Sequence, residues 1–178
     1  MKMVYLATLF NLTIFFYTSA SAQTLAAGET IMIQGELMAR PCNIDPEPLF
    51  QTVDLKTVNT KTLYRYGHST AVPFFITLKN CNPILYKTAN ITFMGEEDRE
   101  LTGKLAVNNG TKGVAIVLFD SSGQEVSLNQ PTAGTALVNG NNKLEFSAYL
   151  QGRPSAIKDR KIVEGPFDAT VSFLINYR

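Results

Sequence analysis

Apolar and polar residues alternate with a period of two along most of the chain, and no stretch of ten or more residues carries a clean apolar stripe at helical spacing. Successive side chains of a strand point to opposite faces, so this pattern predicts half-buried β-strands. The expected strands are Thr30 to Met38, Thr52 to Val58, Ala71 to Leu78, Asn90 to Met94, Gly113 to Phe119, Glu125 to Leu128, Lys143 to Leu150 and Phe167 to Tyr177. Pro46-Glu47-Pro48, Ser121-Ser122-Gly123, Asn139-Gly140-Asn141 and Gly152-Arg153-Pro154 supply turn chemistry between them. Gly113 to Phe119 is apolar nearly throughout, as expected of a strand covered on both faces, and Asp120 with the Ser-Ser-Gly turn leads it into a hairpin with Glu125 to Leu128. Leu101 to Asn109 fits no element. Short strands separated by turns in this way predict a single-domain all-β sandwich rather than alternating βα units.

The start of the chain sets the compartment. Lys2, the apolar run from Val4 to Tyr17 and the small-residue signal Ala20-Ser21-Ala22 read as a signal peptide over residues 1–22. Asn11 and Thr13 interrupt the run, which falls short of the ~20 apolar residues that span a bilayer. Lys2 is the only charge lost from 16 basic and 15 acidic residues, so the exported remainder is balanced. That balance carries no electrostatic footprint for nucleic acid or an anionic membrane. Cys42 and Cys81 both lie in the exported part, where an oxidising compartment favours a structural disulfide. A redox-active pair is the other reading, but such pairs usually stand as C-x-x-C.

The two ends carry the functional signal. Phe167, Ala169, Val171, Phe173, Ile175 and Tyr177 fall on one face of the last strand, with Asp168, Thr170, Ser172, Asn176 and the apolar exception Leu174 on the other. By itself this alternation fits an ordinary core strand of a complete sandwich. Residues Gln23 to Gln34 alternate too, with Leu25, Ala27, Ile31 and Ile33 on one face. An exposed apolar arm of this kind readily pairs with a sheet edge on another chain, whereas its plainer reading is a first strand or a frayed terminus.

Tyr177 is penultimate and Gly165 fourteenth from the end, Gly35-Glu36-Leu37 precedes Cys42, Phe75-Ile76-Thr77-Leu78-Lys79-Asn80 runs into Cys81, and Phe93 is followed closely by Gly95. In order and spacing these residues resemble the pilins of the chaperone–usher pathway, over essentially the whole chain beyond residue 22. The resemblance implies an incomplete immunoglobulin-like β-sandwich lacking its C-terminal (seventh) strand, completed by a donor strand from another chain. It implies three partners: a periplasmic pilus chaperone that lends the strand first, an outer-membrane usher where the exchange takes place, and neighbouring pilus subunits whose arms replace the chaperone. Residues 23–34 would then be the donor extension, with Leu25, Ala27, Ile31 and Ile33 as its knobs, and residues 35–178 the pilin domain. Gly165, Phe167, Ala169, Val171, Phe173, Ile175, Tyr177 and Arg178 would form the acceptor groove and chaperone-binding edge, the carboxylate of Arg178 meeting basic side chains of the chaperone. Glu29 falls on the apolar face where the family has a small residue, and Gly28 stands one position early, so a slipped register stays open. Arg40-Pro41-Cys42 and the terminal Asn-Tyr-Arg look most like minor tip and adaptor subunits of P-type pili. The family's adhesins carry an additional N-terminal lectin domain, for which the chain leaves no room, so adhesion by this subunit is expected to be indirect.

Functions of other classes find little support. His68 is the one histidine, in a polar stretch, where it reads as a solvated loop residue rather than a zinc ligand or general base. Glu96-Glu97-Asp98 with Glu100 lacks the spaced ligands and central glycine of a calcium loop and reads as a solvated turn. No catalytic, metal or cofactor site and no small-molecule substrate is expected. The remaining alternative is a complete sandwich that acts as a monomeric binding module.

Overall fold

The computed structural model describes Met32, Gln34, residues 41–44 and residues 51–178. The signal peptide, the knobs Leu25, Ala27, Ile31 and Ile33, and nearly all of the strand expected over Thr30 to Met38 lie outside the described residues. In chain order the elements are β1 (Asn43–Ile44), α1 (Thr60–Tyr66), β2 (Val72–Cys81), β3 (Thr88–Gly95), β4 (Leu105–Ala106), β5 (Val114–Asp120), β6 (Glu125–Val126), β7 (Thr135–Ala136), β8 (Gly140–Gly152), α2 (Pro154–Lys158) and β9 (Val171–Tyr177). One sheet runs β1-β2-β8-β5-β4 with β6 on β5, and the other runs β7-β3-β9. All of these pairings are antiparallel. Five of the eight connections between successive strands pass from one sheet to the other, in keeping with an immunoglobulin-like sandwich.

Alternation puts Phe74, Ile76 and Leu78 of β2 and Leu144, Phe146, Ala148 and Leu150 of β8 into the core, opposite Ala89, Ile91 and Phe93 of β3. Phe93 stands edge-on to Phe146 at 5.0 Å and to Phe74 at 6.2 Å, so one aromatic cluster joins the two sheets. Every residue of Val114–Leu118 is buried, in keeping with a strand covered on both faces. The expected turn closes the β5–β6 hairpin: Asp120 Oδ1 accepts from the backbone N–H of Ser122 and Gln124, and Gly123 takes the left-handed φ of 79° that a side chain would oppose. The Cys42–Cys81 disulfide pins the residues before β1 to the end of β2 across a sequence separation of 39.

Three expectations need correction. Thr52 to Val58 is not a strand. Val53, Leu55 and Val58 do pack on the core, but Asp54 accepts from the backbone N–H of Lys56, which adopts φ 61°, and this turn breaks the ladder. Residues 60–66 form a short helix instead, begun by the Asn59 side chain accepting from Lys61 N–H and ended by left-handed Gly67. Gly152-Arg153-Pro154 is less a turn than a helix start, with Pro154 in the first turn of α2.

The acidic run is the third correction. Asp98 is not solvated but 3% exposed, gripped by the Arg153 guanidinium at 2.8 Å and by the backbone N–H of Glu100 and Leu101. Burial pushes its carboxyl up, but the Arg153 fork and the two N–H donors outweigh this and hold it below the ordinary aspartate value. The Glu100 carboxylate meanwhile accepts from the N–H and hydroxyl of Ser155. The β3–β4 loop is thereby fastened to α2, the element that leads the chain back towards β9.

Two outcomes follow from this frame. Reducing the disulfide, or Cys42→Ser, should lower stability by about 4 kcal/mol through the 39-residue separation it closes, read as a lower denaturant midpoint; an unchanged midpoint would refute a structural role. Asp98→Asn leaves the Arg153 guanidinium without its counter-charge and should cost about 3 kcal/mol near neutral pH. Because the folded pKa is depressed, the ion-pair contribution is present above about pH 4 and is lost as pH falls below it. The stability gap between wild type and Asp98→Asn should therefore narrow on acidification, measured by urea unfolding at pH 7 and pH 3.

Candidate functional site

Among the described residues β9 pairs with one strand, β3. Its partners run from Ala89↔Tyr177 through Ile91↔Ile175 and Phe93↔Phe173 to Gly95↔Val171, and among the described residues no strand lies on its other edge. A central sandwich strand would be bonded on both sides and buried on its inner face. Here Val171, Ile175 and Tyr177 pack against the core yet stay half exposed, and Phe173 is 38% exposed although its ring approaches Phe93 at 6.5 Å. On the outer face Leu174 is 50% exposed.

Phe167 and Ala169 were expected within the same strand and are not. The strand begins at Val171, because the preceding backbone bonds elsewhere: Asn108 N–H donates to the carbonyl of Asp168 at 2.8 Å, and the Asn109 amide donates to the Asp168 carboxylate. The Thr111 hydroxyl donates to the carbonyl of Gly165 at 2.6 Å. Phe167 and Ala169 still pack on the core as half-buried residues, so the apolar wall continues beyond the ladder.

At this end the wall opens into a cavity of about 370 Å³ lined by Val58, Leu63, Val114, Leu150, Gly165 and Phe167. Its floor is apolar, since Leu63, Val114 and Leu150 are among the buried core. α1 therefore contributes a residue of the site that no signal at the C-terminus could have indicated; the Asn59 and Gly67 caps were the legible clue to it. At the other end the main-chain oxygen of Arg178 accepts from the N–H of Lys87 and Thr88, both at 2.8 Å, which anchors the strand terminus on β3.

Together the half-exposed wall, the one-sided pairing among the described residues and the cavity form a long apolar edge. His68 is exposed, as expected, and lies against the Tyr149 ring at 4.9 Å. No three His, Cys, Asp or Glu side chains gather into a metal-binding group among the described residues.

Comparison with known proteins assigns the family. The fimbrial protein family matches residues 31–178. The major MR/P fimbria protein of Proteus mirabilis (strain HI4320) is 37% identical over 150 residues, covering 84% of this chain and 83% of that protein. Fimbrial adapter PapK of Escherichia coli is 33% identical over 171 residues, covering 86% and 93%. Among solved structures, the P pilus rod subunit PapA superposes with a TM-score of 0.68 at 24% identity, over 78% of this chain and all of that one, and shares the incomplete sandwich. The chain belongs to the fimbrial protein family and is a subunit of a surface fimbrium.

Proposed function

We propose that this subunit enters its fibre by accepting a strand from another chain along β9 and by lending its own residues 23–34 to a neighbour. The observation that carries the reading is the inner face of β9: apolar, half exposed and beside an edge with no strand on it among the described residues. Strand addition supplies both missing things at once, since main-chain hydrogen bonds pair the edge while alternate side chains fill the wall. Phe167, Ala169, Val171, Phe173, Ile175 and Tyr177 line the acceptor, Gly165 and the adjoining cavity mark one end, and Arg178 the other. Leu25, Ala27, Ile31 and Ile33 are the donor knobs.

Residues 1–22 direct export, residues 35–178 form the accepting domain, a periplasmic chaperone covers the edge first, and an outer-membrane usher is the place of exchange. Support for these partners comes from the family and from the chemistry of an edge that cannot safely stay open. Two positions in the fibre have support. Arg40-Pro41-Cys42, the terminal Asn-Tyr-Arg and the 33% identity to a fimbrial adapter favour a minor adaptor, while the 37% identity to a major fimbria protein favours the rod. Subunit stoichiometry in purified fibres separates them: one or a few copies for the adaptor, hundreds for the rod.

The test of the groove is to close it in cis. Burying each large apolar side chain is worth roughly 1.5–3 kcal/mol, so completing the half-buried wall should add about 5 kcal/mol. Fusing a copy of residues 23–34 after Arg178 through a flexible linker should give a soluble monomer melting more than about 10 °C higher, at ~2–4 °C per kcal/mol for a domain of this size. It should also fail to enter fibres. If the unfused protein is a stable monomer without chaperone and the fusion leaves its melting temperature unchanged, the complete-sandwich reading replaces this one. In the unfused subunit Val171→Asp sets an unpaired charge on the wall and should weaken donor binding at least tenfold. Deleting residues 23–33 should spare acceptance and chaperone binding but abolish donation; loss of chaperone binding would make those residues a core strand.

A further inference from the structure

The charges of this chain balance overall, yet the fold gathers cations on one ridge. The turn after α2 docks on α1: the backbone N–H of Ile162 donates to Tyr64 Oη at 3.2 Å, and the Arg160 guanidinium lies 5.8 Å from the centre of the Tyr64 ring. On α1 the buried residue is Leu63, so Lys61 and Arg65, one helical turn apart, project from the opposite side and are exposed. Arg65 lies over the ring of Tyr66 at 5.1 Å, and Lys158, the last residue of α2, is exposed nearby in the chain. None of Lys61, Arg65, Lys158 and Arg160 has an ion-pair partner among the described residues. Of the neighbouring acids, Asp159 pairs with Lys161 and Glu164 accepts from the Thr60 hydroxyl. Arg160 moreover holds a left-handed φ of 51°, a conformation unfavourable for so long a side chain, and it does so with its guanidinium beside Tyr64.

We propose that this ridge binds a linear sulfated polysaccharide. The ridge's four cationic side chains are exposed. A single exposed cation gains little in water, so useful affinity needs many contacts at once. In the rod position the subunit is repeated along its fibre, and there a polymer with regularly spaced sulfates can engage successive ridges together, which multiplies weak contacts into avidity. Guanidinium groups suit the planar two-point contact that sulfate offers. The tyrosine faces already carry guanidinium groups of this chain, which leaves them poor platforms for stacking bases and favours a sugar polymer over a nucleic acid. The inference rests on the rod position of the subunit in its fibre and not on the groove.

The test uses intact fimbriae on immobilised heparin. Wild-type fibres should be retained and elute as salt rises, while the variant Lys61→Gln, Arg65→Gln, Lys158→Gln, Arg160→Asn should bind at least tenfold more weakly. Asparagine is chosen at 160 because it tolerates the left-handed conformation. The pair Lys61→Gln, Arg65→Gln, both on the exposed side of α1, should lose at least threefold, and the charge-conserving Lys61→Arg, Arg65→Lys should lose nothing; fibre yield and melting temperature are recorded for each. Equal heparin binding by wild type and the charge-removal variants overturns the proposal. So does binding of a DNA duplex or of phosphatidylglycerol vesicles as tight as that of heparin and equally lost in the variants, since the ridge then serves another polyanion.

Discussion

A strand that is apolar on one face and, among the described residues, paired along one edge is the constraint around which this molecule is organised. Among the described residues β9 takes its ladder hydrogen bonds from β3, and its inner face reaches the core without being sealed from water. Leaving such an edge open costs twice, once in backbone groups that must bond to solvent and once in apolar area that stays wet. One extended segment is suited to meet both costs, because a strand presents backbone along its edge and side chains on its face. This shared geometry makes the fold and the assembly of a fimbrial subunit a single problem.

A sandwich that keeps one seam open needs rigidity elsewhere, and the molecule has three sources of it. The Phe74, Phe93 and Phe146 cluster joins the sheets at their centre. The Cys42–Cys81 disulfide fixes one end of β2, at the opposite side of its sheet from β4. Asp98 and Arg153, with Glu100 and Ser155, tie the β3–β4 loop to α2 and so steady the segment that carries Gly165 and Phe167 into the cavity. Gly113 belongs to the same joint: with φ 83° and the Ala156 methyl 2.7 Å from where a Cβ would sit, no other residue fits there. The apolar wall along β9 is thus held by contacts that do not pass through the wall itself.

The surface divides along similar lines. Phe173 and Leu174 leave apolar surface on β9, with further exposed apolar residues at Ile84, Leu85 and Val138, while Lys61, Arg65, Lys158 and Arg160, without ion-pair partners among the described residues, lie on α1 and around the end of α2. A balanced net charge hides that separation, because a sum over the chain has no geometry. Charge counting argues well about long-range steering and poorly about local recognition.

Alternation alone determined the all-β class, the faces of β2, β3, β5, β8 and β9, and the hairpin turn at Asp120 to Gly123, because a two-residue period and turn chemistry are properties of a few neighbouring residues. The export signal with two cysteines likewise made the Cys42–Cys81 bond legible, since redox compartment and count suffice for it. The family motif pointed to the last strand as the place of function by position. Only the tertiary structure decided the rest. Thr52 to Val58 kept its alternating burial but lost its ladder to a turn at Asp54 and Lys56, a competition that pattern does not rank. Asp98 looked solvated until Arg153, 55 residues away, reached it. Phe167 and Ala169 left the strand because Asn108 and Thr111 claimed the neighbouring backbone. Whether β9 is a buried core strand or an open edge is likewise undecidable from its residues, since Phe167 to Tyr177 reads the same in both: periodicity specifies which side chains share a face, and only the packing of distant segments specifies whether anything covers it.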